Sequence, residues 1–261
     1  MEGSGVGPVG RLGRQVPAEW LLNVYPAAGE GGGCFRPALV RPGGGGGGPA
    51  VDPARAAVEA GRRARSRLRR YCAANGLNRL GTLTYAGSGC HDPRRARADV
   101  GVFFRRLREG LGGGPLPYVW VPEWHKTDHG LHLHFAVGRY VERTLISEAW
   151  GHGFVHIKML SGVPAGSSQW GQSRRAAGYL SKYVAKTFTD PSDSKRPKGL
   201  HRFDRAEGFT PVPIRLTGTS QADVLRQARD VMGGYWSRSW DSRQVIGWQG
   251  PPAIWLQWDG A

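Results

Sequence analysis

One segment of the chain reads Gly130-Leu-His-Leu-His-Phe-Ala-Val-Gly138 and alternates apolar with polar side chains. This alternation is typical of a β-strand that buries one face. His132 and His134 then point the same way from the other face, about 6.8 Å apart along the strand. Two imidazoles on the polar face of an otherwise apolar strand favour a metal site over two unrelated histidines.

The preceding segment, residues 117–125, reads as a second strand, and residues 126–130 read as the hairpin turn that joins the two. Glu123 would then lie across from the histidine strand. Two imidazoles and one carboxylate, with positions left for water and a phosphate oxygen, suit Mg²⁺ or Mn²⁺ in a nuclease, although the same ligands can hold Fe²⁺ or Zn²⁺. We expect Glu123 to be the third ligand, with His125 and His129 as alternatives.

A helix is predicted farther along, where the chain reads Gly178-Tyr-Leu-Ser-Lys-Tyr-Val-Ala-Lys186. At the helical period one face carries two tyrosines and two lysines, and a separate stripe is apolar: Tyr179, Lys182, Tyr183 and Lys186 against Leu180, Val184 and Phe188. A half-buried amphipathic helix with exposed lysines would explain this pattern without any chemistry. A phenol has a pKa near 10 and attacks poorly at neutral pH unless cations or a metal-bound target assist it. A phosphodiester beside a divalent ion is such a target, so the two histidines upstream favour a catalytic role.

The order of these motifs resembles that of the HUH endonucleases, specifically the two-tyrosine rolling-circle replication initiators of plasmids and single-stranded-DNA phages. Thr82-Leu-Thr-Tyr85 comes first, Glu123 and His132-Leu-His134 follow, and Tyr179-x-x-Lys-Tyr183 comes last, so the resemblance covers residues 78–190. In conjugative relaxases the tyrosines precede the histidines, and this order therefore disfavours a relaxase. Residues 82–85 match only as a central strand, with a supporting role.

The resemblance implies a role for each motif. Glu123, His132 and His134 would bind a divalent metal, Mg²⁺ or Mn²⁺. Tyr179 and Tyr183 would be the nucleophiles that form a 5′-phosphotyrosine with the nicked strand and later rejoin it. Lys182 would assist the phosphate or a tyrosine, and three further residues are expected to contact DNA: Lys186, Arg174 and Arg175.

The composition agrees with a DNA substrate. The chain has 36 Lys plus Arg against 20 Asp plus Glu, a formal net charge of +16 and a pI of about 10.6, which predicts salt-sensitive attraction to phosphate backbones. No stretch reaches the roughly 18 apolar residues of a membrane-spanning helix, and the glycine-rich start lacks a secretory hydrophobic region, so we expect a cytoplasmic protein without a membrane partner. The three cysteines lack a C-x-x-C pair and are expected to be free thiols.

The predicted fold is α+β, an antiparallel sheet with the His-x-His strand at its centre, backed by helices as in HUH and RRM-like folds. A helix over residues 52–74 comes first. The core follows with strand 79–85, helix 92–110, strands 117–125 and 130–139, helix 141–150, strand 152–159 and the tyrosine helix at 174–189. Residues 160–173 are expected to be a loop.

Three regions are predicted. Residues 1–50, with glycine runs at 31–33 and 43–48, read as a flexible, mostly disordered leader. Residues 51–190 form the HUH endonuclease domain. Residues 191–261 form a C-terminal extension with a helix that ends at Met232 and two tryptophan-containing strands, at 243–248 and 253–258, whose aromatic rings are expected to pack in a small core rather than stack on bases.

The expected function is replication initiation by nicking single-stranded or origin DNA. The chain contains no G-x-x-x-x-G-K-[ST] motif, so no nucleotide cofactor is expected, and a separate helicase and a DNA polymerase would be partners. Three alternatives remain open: a two-tyrosine HUH transposase with the same chemistry, a 2-His-1-carboxylate metalloenzyme, and a non-catalytic nucleic-acid-binding protein.

Overall fold

The computed structural model describes residues 15–40, 52–125, 127–158, 160, 166–189 and 201–259. Within these ranges the strands are β1 (Gln15–Val16), β2 (Glu19–Tyr25), β3 (Glu30–Arg36), β4 (Leu39–Val40), β5 (Arg79–Tyr85), β6 (Tyr118–Trp124), β7 (Leu131–Val137), β8 (Gly153–Lys158), β9 (Asp204–Arg205), β10 (Ile214–Gly218), β11 (Arg238–Asp241) and β12 (Ala253–Gln257). The α-helices are α1 (Pro53–Ala74), α2 (Pro93–Gly110), α3 (Arg143–Trp150), α4 (Gln169–Thr189) and α5 (Gln221–Met232). The fold is therefore α+β, as predicted.

The chain forms two compact units. The larger contains Tyr25–Glu30, Asp52–Pro213 and Trp258–Ala261, and the smaller contains Met1–Val24, Gly31–Val51 and Ile214–Gln257. Within the described residues no helix is long and apolar enough to cross a membrane. The cysteines that were expected to be free thiols are unpaired, which confirms that expectation.

The larger unit is built on a five-stranded antiparallel sheet in the order β8-β5-β7-β6-β9. The histidine strand β7 lies at its centre and is joined to β6 by the predicted hairpin. Gly130 has φ of +78°, a conformation that favours glycine, and its carbonyl accepts a hydrogen bond from His125 N at 2.8 Å, which closes the hairpin.

The two faces of this sheet carry different helices. The apolar residues of β7 pack with α2 and α3 in one core, which includes Phe103, Phe135 and Trp150. On the opposite face, α1 and α4 pack together over Leu80, Ala136, Val119 and Val121. The alternation read from the sequence therefore matches the two faces of β7, because residues two apart share a face.

The tyrosine helix α4 begins at Gln169, earlier than the predicted start at residue 174. Ser168 explains the difference, because its Oγ accepts a hydrogen bond from Gly171 N at 3.2 Å and so satisfies one of the free amides of the first turn. The expected loop over 160–173 is accordingly wrong for residues 169–173. Leu180 and Val184 are fully buried in the core beneath α4, as the predicted stripe required. The side chain of Phe188 lies outside the described part.

The smaller unit corrects the prediction of a mostly disordered leader. β2 and β3 belong to a five-stranded sheet in the order β10-β2-β3-β12-β11, so residues 19–36 are ordered, and β1 pairs with β4 in a separate two-stranded sheet. Strand β2 alternates buried and half-buried residues, a signal that the glycines around it outweighed when the composition was read. The run Gly43–Gly48 lies outside the described residues.

The C-terminal helix and strand are confirmed as α5 and β12, but the predicted strand at 243–248 is wrong. The strand that pairs with β12 is β11, and it ends at Asp241. The Asp241 side chain accepts from Arg243 N at 2.9 Å and starts a short 3₁₀ turn over Ser242–Gln244, which breaks the extended backbone.

Candidate active site

The central hairpin places the three predicted metal ligands on one face of the sheet. Glu123 on β6 lies directly opposite His132 on β7. His134, two residues farther along β7, lies opposite Thr82 on β5. In an antiparallel sheet, residues opposite one another and residues two apart all point to the same side, so the side chains share one face.

The tyrosine helix approaches this face at His134. The Tyr183 ring stacks on the His134 ring with centroids 3.7 Å apart and planes 13° from parallel. The Tyr179 ring is close to perpendicular to that of Tyr183, at a centroid distance of 5.3 Å. The Tyr183 hydroxyl donates to the Tyr179 hydroxyl at 2.6 Å, so the two phenolic oxygens meet beside the histidine strand.

His134 is held at both ring nitrogens. Its Nε2 lies 2.8 Å from Glu123 Oε2, and its Nδ1 lies 2.9 Å from Thr82 Oγ1. The Thr82 hydroxyl can donate or accept, so it can orient either tautomer of the ring. Thr82 thus positions a candidate ligand, a contact that depends on strand register and that no sequence pattern indicated.

Glu123 also forms an ion pair with Lys186 of α4 through its other oxygen, Oε1. Burial by itself would raise the pKa of Glu123, but hydrogen bonds from His134 and Lys186 outweigh burial and lower the pKa below its usual value. The carboxyl group is therefore ionised at neutral pH, which is the form that binds a cation.

His132 differs from His134 because its Nε2 is buried and makes no hydrogen bond to any described residue. Its ring lies 4.3 Å from that of His125, measured between centroids. Burial, followed by the neighbouring histidines, lowers the pKa of His132 to about 4. The imidazole is therefore neutral at physiological pH, as a metal ligand must be.

The two alternatives for the third ligand have other partners. His129 Nε2 donates to the Tyr85 carbonyl at 2.9 Å, and His125 Nδ1 lies 2.6 Å from Thr127 Oγ1. Each of these contacts holds one ring nitrogen within the loop around the hairpin turn. Glu123, by contrast, points its carboxylate at a histidine of the predicted ligand pair.

Within the described ranges, no three His, Cys, Asp or Glu side chains stand ready to hold an ion. The reason is visible in the contacts, because Glu123 is engaged with His134 and Lys186 rather than with His132. The donor set nevertheless fits a divalent cation: two imidazoles and an ionised carboxylate share one face, and a buried imidazole nitrogen has no other partner. Binding would require Lys186 to release Glu123.

The two tyrosines have different surroundings. Burial, followed by the hydrogen bond to Tyr179, raises the pKa of Tyr183. Two ammonium groups face the Tyr179 ring instead, Lys158 Nζ at 5.6 Å and Lys182 Nζ at 6.0 Å from its centroid. Cations stabilise a phenolate, so Tyr179 has the environment that favours its ionised form.

The predicted DNA contacts divide into two kinds. Lys186 and Arg175 are exposed on α4. Arg174 is not, because its guanidinium donates to the carbonyls of Ala28, Gly29 and Trp258 and pairs with Asp259. A guanidinium held inside the larger unit cannot reach DNA phosphates, so Arg174 leaves the set of DNA contacts.

Comparison with known proteins finds one family. Residues 78–188 match the family model of the replication-associated protein ORF2. Over this region the chain is similar to replication-associated proteins. The match spans β5 to α4, which contain all the candidate ligands and both tyrosines, and it supports a relationship to rolling-circle replication initiators. No curated protein and no solved structure matches the chain.

Proposed function

We propose that this protein is a rolling-circle replication initiator that nicks and rejoins single-stranded DNA through a 5′-phosphotyrosine intermediate. The observation that carries the proposal is the meeting of the Tyr179 and Tyr183 hydroxyls, 2.6 Å apart, against the ring of His134. A half-buried amphipathic helix has no need to place two phenols on a histidine that is also bonded to a carboxylate. The family match favours replication over transposition.

Glu123, His132 and His134 are the residues that would hold Mg²⁺ or Mn²⁺. When bound, the ion would withdraw charge from the scissile phosphate and so favour attack on phosphorus. Thr82 keeps the His134 ring in place, and Lys186 acts as a counter-ion for Glu123 until the carboxylate turns to the metal.

Tyr179 is the proposed first nucleophile. Its oxygen attacks the phosphorus, the bond to the 3′ oxygen breaks, and that oxygen takes up a proton as the phenol loses one. The products are a 5′-phosphotyrosine and a free 3′-hydroxyl. Tyr183 donates its proton toward the Tyr179 oxygen, and Lys158 and Lys182 add positive charge near the same ring, so all three favour ionisation of Tyr179.

Tyr183 is the proposed second nucleophile. After one round of synthesis it would cleave the regenerated site, and the new 3′-hydroxyl would attack the first phosphotyrosine and close a circle. Tyr183 lies four residues from Tyr179 on the same helical face, so both oxygens can reach one phosphate position in turn. Each transfer exchanges one phosphoester for another, and no nucleotide is consumed.

The proposed partners follow from this chemistry. The 3′-hydroxyl is a primer for a DNA polymerase, and duplex DNA ahead of it needs a helicase, because the chain has no P-loop motif of its own. The formal charge of +16 favours binding of the polyanionic substrate.

The test uses a pool of single-stranded oligonucleotides with a randomised centre, incubated with the full-length protein and Mn²⁺. Protein that carries DNA after denaturation is separated on a gel, and the attached strands are sequenced. We expect a covalent species with a shared sequence at the attached 5′ end. The matched control is the double variant Tyr179→Phe with Tyr183→Phe, which keeps both rings and should bind DNA without forming an adduct. No adduct from the wild type, or an equal amount from the double variant, would refute the proposal.

A further inference from the structure

The edge strand β8 presents three side chains on the same face as the candidate ligands. Phe154, His156 and Lys158 are all exposed, whereas Val155 between them is buried on the opposite face. Phe154 is 69% exposed, which is unusual for a phenylalanine in a strand. Edge strands normally avoid exposed aromatic residues because such residues invite unwanted pairing.

The register of the sheet aligns Phe154 with the candidate site. Phe154 lies opposite Thr84 on β5, which lies opposite His132 on β7, which in turn lies opposite Glu123. With neighbouring strands about 4.8 Å apart, the Cα atoms of Phe154 and His132 are separated by roughly 10 Å. An extended single strand whose scissile phosphate lies at His132 therefore reaches Phe154 within a few nucleotides.

Positive charge marks the path between the tyrosines and Phe154. Lys158 lies at one end of β8 with its Nζ 5.6 Å from the centroid of the Tyr179 ring, and Phe154 lies four residues away on the same face. His156 lies between them, in the row that contains Thr82 and His134. A lysine for the backbone and an aromatic ring for a base are the two elements of a site for single-stranded nucleic acid.

We propose that Phe154 is a stacking platform for an unpaired base of the DNA substrate, close to the scissile phosphate, and that Lys158 pairs with a phosphate of the same strand. This inference rests on the proposed function, because it assigns the position of the substrate that the tyrosines would cleave. The platform tolerates different bases, since every base has a face that can stack, and it holds the strand in place without selecting the sequence.

Binding can be measured without cleavage, by leaving out divalent metal and titrating a fluorescein-labelled oligonucleotide of mixed sequence. Loss of one base–aromatic stack weakens affinity by about 5- to 150-fold, so Phe154→Ala should raise the dissociation constant within that range. Phe154→Trp should restore affinity, because the larger ring also stacks. Phe154 is exposed, so neither change should alter the melting temperature appreciably.

Two further variants sharpen the test. Tyr140→Ala is the matched control, because Tyr140 is 71% exposed but follows the far end of β7, away from His132, and its loss should leave affinity unchanged. Lys158→Gln should lower the slope of log affinity against log salt by about 0.7, the value for one contacted phosphate of a single strand, whereas Phe154→Ala should leave the slope as it is.

Several results would overturn the platform. Affinity of Phe154→Ala within twofold of the wild type would do so, as would an equal loss in Tyr140→Ala or failure of Phe154→Trp to restore binding. These results are independent of the chemistry. If the wild type forms a covalent adduct but Phe154→Ala binds normally, the platform alone fails. If Phe154→Ala weakens binding but the wild type never forms an adduct, the proposed function alone fails.

Discussion

Replacement of Lys186 by methionine should strengthen metal binding, because the ion pair between Lys186 and Glu123 competes with the metal for the carboxylate. The Lys186 side chain is 49% exposed, so the pair belongs with surface ion pairs, which contribute about 0.2–1 kcal/mol. At an RT of about 0.59 kcal/mol, the loss of this competition corresponds to about 1.4- to 5-fold tighter binding. Methionine keeps most of the aliphatic stem and so preserves the packing of the helix surface.

The assay is the dissociation constant of Mn²⁺, measured by titration calorimetry at neutral pH in the absence of DNA. Lys182→Met is the matched control: it removes the same charge from the same helical face, one turn earlier, where Lys182 lies beside Tyr179. Only Lys186→Met should bind Mn²⁺ more tightly by the stated factor. Equal or weaker binding by Lys186→Met, or an equal gain in Lys182→Met, would refute the competition between lysine and metal.

Three other outcomes are expected. His132→Ala or His134→Ala should abolish nicking but leave salt-dependent DNA binding largely intact, and full nicking by either variant, or undiminished nicking in EDTA, would contradict the metal assignment. Log affinity for a non-cognate single strand should fall by about 0.7 per contacted phosphate for each unit of log salt, whereas a flat profile would argue against phosphate contacts. Arg69→Ala should lower the free energy of unfolding in urea by about 3 kcal/mol, because it leaves the 1%-exposed carboxylate of Glu30 without its two-bond partner. Arg62→Ala, which breaks only an exposed pair, should change it little.

The central hairpin and the tyrosine helix could be predicted because their signals are local. Strict alternation over β7 reports one buried face, and a helical period of apolar residues reports the other side of α4. The leader could not be judged in this way. Strands β2 and β3 lie among glycines and form a sheet with strands near the C-terminus, and such distant pairing leaves no mark in the composition of either segment.

The candidate site shows the same limit. The ligand and tyrosine motifs were visible because each lies within one strand or one helix. Thr82 and Phe154 were missed because their places beside His134 and His132 depend on strand register, which a shift of one residue would reverse. The position of Arg174 in the interior was hidden for a similar reason, since its carbonyl partners come from residues far away in the sequence.

The most direct measurement is the identity of the residue that carries DNA. The covalent species trapped with Mn²⁺ would be digested with protease and nuclease, and the modified peptide would be located by mass spectrometry. The account predicts a 5′-phosphate ester on Tyr179, and on Tyr183 when Tyr179 is replaced by phenylalanine. A linkage to any other residue, or a linkage through a 3′-phosphate, would contradict it.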